Sequence, residues 1–385
     1  MKVGAIYVLL ALIGLLAVPG RPAVAQPLAF ETKARAAIMI DHRSGAVLFA
    51  KNPDERLPPA SMSKLMTAYM VFDAIRADRL SEDDELPVSE KAWRTGGSKM
   101  FVKVGDRVKV HDLIRGVIIQ SGNDACVVLA EGLAGSEEAF ARRMTDRGRE
   151  IGLTGSNFAN SNGLPDPNHW MTVRDLATLA NRLIAEFPEQ YPIYSEEEFT
   201  YQGIRQFTRN PLLRGGVPGV DGLKTGHTEE AGYGLVASAA RDGRRIILVM
   251  AGLESEKERS QESARMLEYG FREFEEYILF RKDQQVEAAT VWLGTQATVP
   301  LVPAADVGMT MARDARPSMS AKVLWDDPVP APVTKGQPLA NLVISVPGSE
   351  PVTVSLVAGS DVPAASWFAR IWSLGLYYAH AATGV

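Results

Sequence analysis

The segment Ser61-Met-Ser-Lys-Leu-Met-Thr-Ala-Tyr-Met-Val-Phe72 lies at the centre of the fold that this sequence predicts. Its apolar side chains recur at three- and four-residue steps, and the remaining faces are largely apolar too. A helix that is apolar all round is buried, so the pattern predicts a helix that begins at Ser61 and lies in the middle of a domain. Residues three apart share a helix face, which puts Lys64 one turn from Ser61.

Regular elements are predicted on both sides of this helix. They are a hairpin of residues 36–40 and 46–50, a helix–turn–helix of residues 113–129, a helix of residues 176–184, a second hairpin of residues 233–240 and 245–252, and a long amphipathic helix of residues 256–277. Helices early and late with an antiparallel sheet between them predict an α/β fold, in which helices flank the sheet. We assign this first domain to residues 26–281.

A second domain is indicated by a change in composition near Lys282. Short β-rich segments follow, separated by Pro, Gly and Asp, at residues 289–293, 299–302, 321–325 and 341–345. This pattern predicts a small all-β domain over residues 282–358. It contains no obvious catalytic motif, so we expect a spacer or a binding module.

The two ends of the chain have patterns typical of export and of membrane attachment. Residues 1–25 predict a secretory signal peptide, because Lys2 precedes a short apolar run and Ala23-Val-Ala25 is a small-x-small cleavage site. An uncleaved anchor is the alternative. Residues 362–382 are dense in aromatic and aliphatic side chains and carry one polar stripe, which predicts an amphipathic helix at a membrane surface. A helix packed against the protein and a weakly spanning helix are the alternatives.

Composition excludes several classes of function. The formal net charge of −5 argues against a nucleic-acid partner. The five histidines show no metal-ligand spacing, and no phosphate-binding glycine loop is present, so neither a metal nor another cofactor is predicted. Cys126 is the one cysteine, so no disulfide forms within the chain, and we expect it to be a core residue.

Three short motifs carry the predicted chemistry: Ser61-Met-Ser-Lys64, Ser121-Gly-Asn123 and Lys224-Thr-Gly226. Each motif alone is weak evidence, but the three in this order indicate a serine acylation site. A serine hydroxyl needs a base within hydrogen-bonding reach, and a buried, neutral Lys64 would supply one to Ser61.

The other motif residues have expected roles around this pair. Ser121 is expected to relay a proton between Lys64 and the departing amine, and Asn123 to hold Lys64 or a substrate amide. Lys224 would keep Lys64 neutral by like-charge repulsion and would attract an anionic substrate group. Thr225 is expected to donate a hydrogen bond, and Gly226 to let a substrate backbone approach the strand closely.

The chain resembles the low-molecular-mass penicillin-binding proteins that act as serine-type D-alanyl-D-alanine carboxypeptidases. The resemblance extends to Leu113-Ile-Arg-Gly116 and to Asp221-Gly-Leu-Lys-Thr-Gly-His-Thr228, and it covers nearly the whole chain. It implies a serine transpeptidase and β-lactamase-like fold. The implied substrates are peptidoglycan stem peptides ending in D-Ala-D-Ala, the implied inhibitors are β-lactams, and the implied location is the periplasmic side of the cytoplasmic membrane.

The resemblance also implies roles for individual residues. The implied roles are Ser61 as acyl-ester nucleophile, Lys64 as proton acceptor, Ser121 as proton relay, Lys224 as substrate ligand, the backbone N–H groups of Ser61 and His227 as oxyanion hole, Thr225 and Thr228 as ligands of the substrate carboxylate, and Arg209 and Arg259 as basic residues around the site. Some relatives carry a histidine at the position of Asn162, and any role of that histidine is absent here.

Three other functions use the same residues or the same fold. A β-lactamase would hydrolyse the acyl-enzyme rapidly, but no Glu-x-x-Leu-Asn string lies between Ser121 and Lys224. An endopeptidase that cuts peptidoglycan cross-links would differ only in pocket shape. A non-catalytic wall-binding or membrane-attached scaffold would not need the intact motif residues.

Overall fold

The computed structural model describes residues 30–347 and 350–367. The predicted signal peptide and most of the predicted C-terminal helix lie outside these residues. The described strands are β1 (Ala36–Asp41), β2 (Val47–Lys51), β3 (Glu85–Pro87), β4 (Arg107–Lys109), β5 (Glu198–Tyr201), β6 (Ile204–Phe207), β7 (Val220–Thr228), β8 (Gly232–Arg241), β9 (Arg244–Leu253), β10 (Phe274–Phe280), β11 (Glu287–Trp292), β12 (Thr298–Pro303), β13 (Val307–Ala312), β14 (Ser320–Trp325), β15 (Val329–Pro330), β16 (Pro338–Ser345) and β17 (Val352–Ala358). The described α-helices are α1 (Lys64–Arg76), α2 (Glu90–Arg94), α3 (Val110–Ile118), α4 (Asn123–Ala134), α5 (Glu137–Glu150), α6 (Val173–Glu186), α7 (Pro211–Arg214) and α8 (Glu256–Glu273).

A five-stranded antiparallel sheet, in the order β2-β1-β9-β8-β7, is the framework of the first domain. Both predicted hairpins are part of it. Successive side chains of a strand point to opposite faces of the sheet, so neighbouring residues of one strand pack against different helices. Met39 and Ile246 pack beside Gly270 of α8, whereas Ile38 and Ile247 belong to the core that contains α1. Helices flank the sheet, as predicted.

The central helix is buried as its sequence predicts. Most side chains of α1 are buried, and the helices that surround it are α3, α4, α5 and α6. Its start differs slightly from the prediction, because residues Ala60–Ser63 form a 3-10 turn and the α-helix begins at Lys64. Ser61 therefore lies in the tight turn that leads into α1.

The second domain is all-β, as predicted. Six strands form one sheet in the order β14-β16-β17-β12-β11-β15, and β10 pairs with β13. A second hydrophobic core, separate from that of the first domain, contains Val299, Leu301 and Leu356. The predicted fold class of an α/β domain followed by a small β domain is confirmed.

The long helix predicted over residues 256–277 ends earlier, at Glu273. Its last carbonyl groups are bonded by side chains distant in sequence: Arg244 Nη1 donates to Phe274 O (2.7 Å), and Arg313 Nε donates to Arg272 O (3.0 Å). The apolar residues that follow belong to β10, where Tyr277 lies opposite Met309. The helical period misled the prediction because Tyr277, Leu279 and Phe280 of β10 are half-buried against the second core. This pairing leads us to propose Phe274, rather than residue 282, as the start of the second domain.

The beginning of the predicted C-terminal helix is also different. Val362 is fully buried in the second core and exchanges backbone hydrogen bonds with Val333, and Ala365 N donates to Leu293 O. Residue 362 is therefore too early a start for a surface helix, because these residues are extended. Within residues 30–347 and 350–367, no helix combines the length and apolar character needed to cross a membrane.

Candidate active site

The structure brings Ser61 and Lys64 together. Lys64 Nζ lies 2.8 Å from Ser61 Oγ, at hydrogen-bonding distance. The turn before α1 makes this possible, since the 3-10 geometry and the first turn of the helix align residues three apart. Ala60, immediately before Ser61, has a left-handed backbone (φ 48°). Such conformations are costly for an alanine and cluster at functional sites.

Lys64 is buried, with 1% of its surface exposed. Burial, which disfavours the charged form, and to a smaller extent the nearby Arg209 guanidinium lower the pKa of Lys64 to about 8. Its amine also donates to the carbonyl oxygen of Asn162. The amine is therefore fixed in position and much easier to deprotonate than an ordinary lysine.

Ser121 and Lys224 form a second polar pair. Lys224 Nζ donates to Ser121 Oγ at 2.9 Å, and both residues are buried. Ser121 has a left-handed backbone (φ 66°), which turns its hydroxyl out of the α3–α4 connection. Burial, with Lys64 as the next cause, holds the pKa of Lys224 well below its usual value. Each of the two buried amines thus donates to a serine hydroxyl, and both serines line the same cleft.

The Asn123 side chain bonds a loop beside the cleft rather than Lys64. Its side-chain Nδ2 donates to Gly96 O (2.8 Å), and its backbone N–H donates to Ser98 O (2.7 Å). Both bonds go to the loop of residues 96–98, and a contact of Asn123 with a substrate amide stays a prediction. The neighbouring Asp124 carboxylate accepts backbone N–H groups of the same loop, including Met100 N at 2.8 Å. We infer that Asn123 and Asp124 together hold this loop in place, and the loop contributes Ser98 to the wall of the cleft.

Gly226 has a packing role that the sequence did not predict. A Cβ atom at this position would lie 2.9 Å from Pro59 O and 3.0 Å from Met62 Cγ. Real Cβ atoms do not make such contacts with a backbone oxygen. The absent side chain therefore lets the turn that carries Ser61 pack directly on β7, and the expected close approach of a substrate backbone stays a prediction.

His227 and Thr228 end the same strand. The His227 ring is exposed and stacks on Tyr233 of β8, with ring centroids 3.8 Å apart. Thr228 Oγ1 accepts a hydrogen bond from Ala231 N at 3.0 Å, so it stabilises the β7–β8 turn. His227 lines the cleft, whereas Thr228 is not among the cleft-lining residues.

A cleft of about 440 Å³ opens over Ser61. Its lining residues are Ser61, Ser98, Ser121, Phe207, Thr208, Arg209, Arg214, Thr225, Gly226, His227, Tyr233, Glu256 and Arg259. The lining includes three arginines but one carboxylate, that of Glu256, so the cleft is suited to an anionic ligand. Arg259 is almost fully buried, forms an ion pair with Glu256 (3.2 Å) and lies over the Tyr233 ring.

Sequence reasoning identified most of this cleft but not all of it. Ser98, Thr208 and Arg214 lie outside the three motifs, and no local signal distinguishes them from surface loop residues. Cys126, predicted as a core residue, is fully buried, and burial raises the pKa of its thiol to about 12. Among residues 30–347 and 350–367, no group of three or more histidine, cysteine or acidic side chains is arranged to hold a metal ion.

Comparison with known proteins gives consistent matches over both domains. The D-alanyl-D-alanine carboxypeptidase family matches residues 22–255, and the family of the C-terminal domain of penicillin-binding protein 5 matches residues 274–364. D-alanyl-D-alanine carboxypeptidase DacC of Escherichia coli (strain K12) is 39% identical over 354 residues, which cover 90% of this chain and 88% of the relative.

Solved structures agree with these matches. Penicillin-binding protein 5 from Haemophilus influenzae is 36% identical with a TM-score of 0.79, and the match covers 88% of this chain and 99% of that chain. Penicillin-binding protein D2 from Listeria monocytogenes, solved in its ampicillin-bound form, is 30% identical with a TM-score of 0.59 and covers 64% of this chain and 100% of that chain. The predicted serine transpeptidase-like fold is confirmed. This chain belongs to the D-alanyl-D-alanine carboxypeptidase family.

Proposed function

We propose that this protein is a serine D-alanyl-D-alanine carboxypeptidase that removes the terminal D-alanine from peptidoglycan stem peptides through an acyl-enzyme on Ser61. The observation that carries the proposal is the contact of Ser61 Oγ with the buried Lys64 amine at 2.8 Å. A lysine with a pKa of about 8 is neutral often enough to act as a base near neutral pH.

Acylation would begin when neutral Lys64 takes the proton of Ser61. Ser61 Oγ then attacks the carbonyl carbon of the penultimate D-alanine, and negative charge develops on the carbonyl oxygen. The backbone N–H groups of Ser61 and His227 are the proposed donors to that oxygen, and both residues line the cleft. Fixed donors of this kind stabilise the developing charge more than water does.

Departure of D-alanine requires a proton at its amine nitrogen. Ser121 is the proposed relay, because its hydroxyl lies in the cleft and is bonded to Lys224 Nζ at 2.9 Å. The Ser61 ester that remains is then hydrolysed by water, with Lys64 again accepting a proton. The products are free D-alanine and a stem peptide shortened by one residue.

The free carboxylate of the substrate is proposed to bind at the cationic side of the cleft. Arg209 and Arg259 line this side together with the Thr225 hydroxyl. Burial and, to a smaller extent, both guanidinium groups lower the pKa of Lys224, and a bound carboxylate would raise that pKa again, since an opposite charge favours the protonated amine. Thr228 contributes indirectly, by stabilising the turn that ends β7.

Two further proposals concern inhibitors and location. β-Lactams are expected to acylate Ser61, which is supported by the ampicillin-bound form of a 30% identical relative. The sequence of residues 1–25 supports export, and that of residues 362–382 supports attachment to the membrane surface.

The deciding experiment measures release of D-alanine from a peptide ending in D-Ala-D-Ala, with Ser61→Ala as the inactive control. In parallel, intact-protein mass spectrometry after incubation with benzylpenicillin locates the acyl group. We expect D-alanine release and a penicilloyl adduct in the wild type, and neither in the variant.

The alternative functions give different results in the same assays. Cleavage of a cross-linked dimer without D-alanine release would indicate an endopeptidase. Rapid loss of the adduct with turnover of penicillin would indicate a β-lactamase. Absence of both an adduct and D-alanine release would contradict the proposal and favour a non-catalytic scaffold.

A further inference from the structure

Lys64 has two hydrogen-bond partners, and only one of them is the nucleophile. The other is the carbonyl oxygen of Asn162, which lies in a turn 98 residues further along the chain. This carbonyl fixes where the amine points, because a lysine side chain has four rotatable bonds and one contact would leave it free to swing. Whatever holds the Asn162 turn therefore holds the proposed base.

A buried carboxylate holds that turn. Glu137 Oε1 accepts hydrogen bonds from Ser161 Oγ (2.7 Å), from Ser161 N (3.1 Å) and from Asn162 Nδ2 (3.3 Å). Glu137 is 8% exposed, and its other oxygen, Oε2, pairs with Lys91 Nζ at 3.0 Å. The Glu137 carboxylate thus accepts hydrogen bonds from two consecutive residues, Ser161 and Asn162.

The turn is also packed tightly against the nucleophile. A Cβ atom at Gly163 would lie less than 2 Å from Ala60 O, the backbone oxygen that precedes Ser61. Thr67 Oγ1, one turn beyond Lys64 on α1, donates to Ser161 O at 2.5 Å. A shift of the turn would consequently move both the carbonyl partner of Lys64 and the surroundings of Ser61.

The position of Glu137 at the start of α5 does not by itself explain why its carboxylate contacts Ser161 and Asn162. Glu137 and Glu138 are the first two residues of α5, where either carboxylate would interact favourably with the helix dipole. Glu138 is 65% exposed on its side chain and contacts Lys91 alone among the residues of this cluster (2.7 Å). Only Glu137 is turned inward to the Ser161–Asn162 turn.

We propose that Glu137 is a positioning residue for Lys64: its carboxylate fixes the Ser161–Asn162 turn, whose carbonyl fixes the Lys64 amine against Ser61. The inference rests on the proposed function, because it assigns Glu137 a part in acylation. It adds a residue on α5, outside the three motifs and outside the cleft.

The test compares Glu137→Ala, Glu137→Gln and Glu138→Ala with the wild type. The measurement is the rate constant of Ser61 acylation by a fluorescent penicillin, over a pH series centred on about pH 8, with circular dichroism and melting temperature as folding controls. Glu138→Ala is the matched control, since it removes the neighbouring carboxylate and leaves the turn intact.

We expect Glu137→Ala to lower the acylation rate about tenfold or more, because even small displacements of reacting groups are costly. The acid limb of its pH profile should move to lower pH, since loss of a carbonyl acceptor disfavours the protonated amine. Glu137→Gln retains an oxygen acceptor at the same place, so we expect its rate within about twofold of the wild type. Glu138→Ala should match the wild type in rate and profile.

The outcomes separate the inference from the proposed function. A wild type that is not acylated at Ser61 would overturn both. If the wild type is acylated and Glu137→Ala is acylated at the same rate, the inference alone is overturned. A Glu137→Gln variant as slow as Glu137→Ala would also overturn it, because the charge of Glu137 rather than its hydrogen bonding would then matter. If Glu137→Ala does not fold, Ser161→Ala removes one donor of the same cluster. For Ser161→Ala, a smaller loss of acylation rate with the same shift of the pH profile to lower pH would support the inference. An unchanged rate and pH profile would contradict it.

Discussion

At the scale of single residues, the site depends on an amine that is kept out of water. Lys64 is predicted from sequence because it follows Ser61 by three residues on a buried helix. Its pKa depression, however, comes chiefly from burial by residues distant in sequence, which a local pattern cannot reveal. The same limit applies to Glu137: a glutamate at a helix start is ordinary, and only tertiary packing turns it to the Ser161–Asn162 turn.

The first prediction is the pH dependence of acylation. With a Lys64 pKa of about 8, the neutral fraction falls about tenfold for each pH unit below that value. The rate constant for acylation of Ser61 by benzylpenicillin should therefore rise with pH up to about pH 8 and then level off. Stopped-flow measurements over this range test it, with Lys64→Arg as the variant that stays protonated. A rate independent of pH across this range would show that Lys64 is not the base.

At the scale of elements, sequence patterns predicted the helices and hairpins better than their junctions. The α3–α4 turn and the β8–β9 hairpin were predicted because polar or glycine-containing turns interrupt clear apolar periods. The end of α8 was not, because Arg244 and Arg313 bond its last carbonyl groups from elsewhere in the chain. The packing role of Gly226 was not predicted for the same reason: the neighbour it accommodates is the distant Pro59 carbonyl.

Gly226→Ala tests the packing of β7 against the turn that carries Ser61. The added methyl group would meet Pro59 O at 2.9 Å, so the turn must move away from the strand. Misplacement of a nucleophile by about 1 Å costs on the order of 100-fold in rate, and we expect an acylation rate reduced by about that factor. The matched control is Gly148→Ala in α5, where the new contacts would be ordinary (3.5 Å and longer). Equal acylation rates of the two variants would contradict this role.

Arg244→Ala tests the junction of β9, α8 and β10. Arg244 pairs with the buried Asp41 (3.2 Å) and donates to two carbonyl groups at the end of α8. Removing it leaves a buried carboxylate without its cation, which should lower the free energy of unfolding by about 3 kcal/mol. Arg43→Ala is the control: the Arg43 side chain is 70% exposed and its ion pair with Glu276 is long (3.5 Å), so we expect a loss below about 0.5 kcal/mol. Urea denaturation of both variants measures the difference, and similar losses would show that the Asp41 pair is unimportant.

At the scale of the whole molecule, the order of the two domains could be predicted, but the positions where each begins and ends could not. Composition distinguishes an α/β domain from an all-β domain. The strand β10 lies before the predicted boundary at residue 282 but pairs with β13 of the second domain, and Val362 belongs to the second core rather than to a tail. Both errors arose where apolar residues serve tertiary contacts that sequence periodicity does not encode.

Truncation after Trp367 tests the proposed attachment to membranes. Removing residues 368–385 leaves Val362 and its bridge to Val333 intact, so the second domain should stay folded. We expect the truncated protein to leave the membrane fraction and to keep its rate of D-alanine release. Truncation before Val362 should instead destabilise the second domain, because it removes a fully buried core residue. Sedimentation of the residue-367 truncation with membranes would contradict the proposal.

The two buried amines of the cleft have a thermodynamic consequence for ligand binding. Burial and Lys64 hold the pKa of Lys224 well below its usual value, and a carboxylate that binds nearby would raise it again. Binding of an anionic ligand should then draw a proton from the solvent. The observed binding enthalpy would depend on the ionisation enthalpy of the buffer, and the apparent affinity would weaken as pH rises. Part of the electrostatic complementarity in this cleft would thus be created on ligand binding, in addition to the charges of Arg209, Arg214 and Arg259.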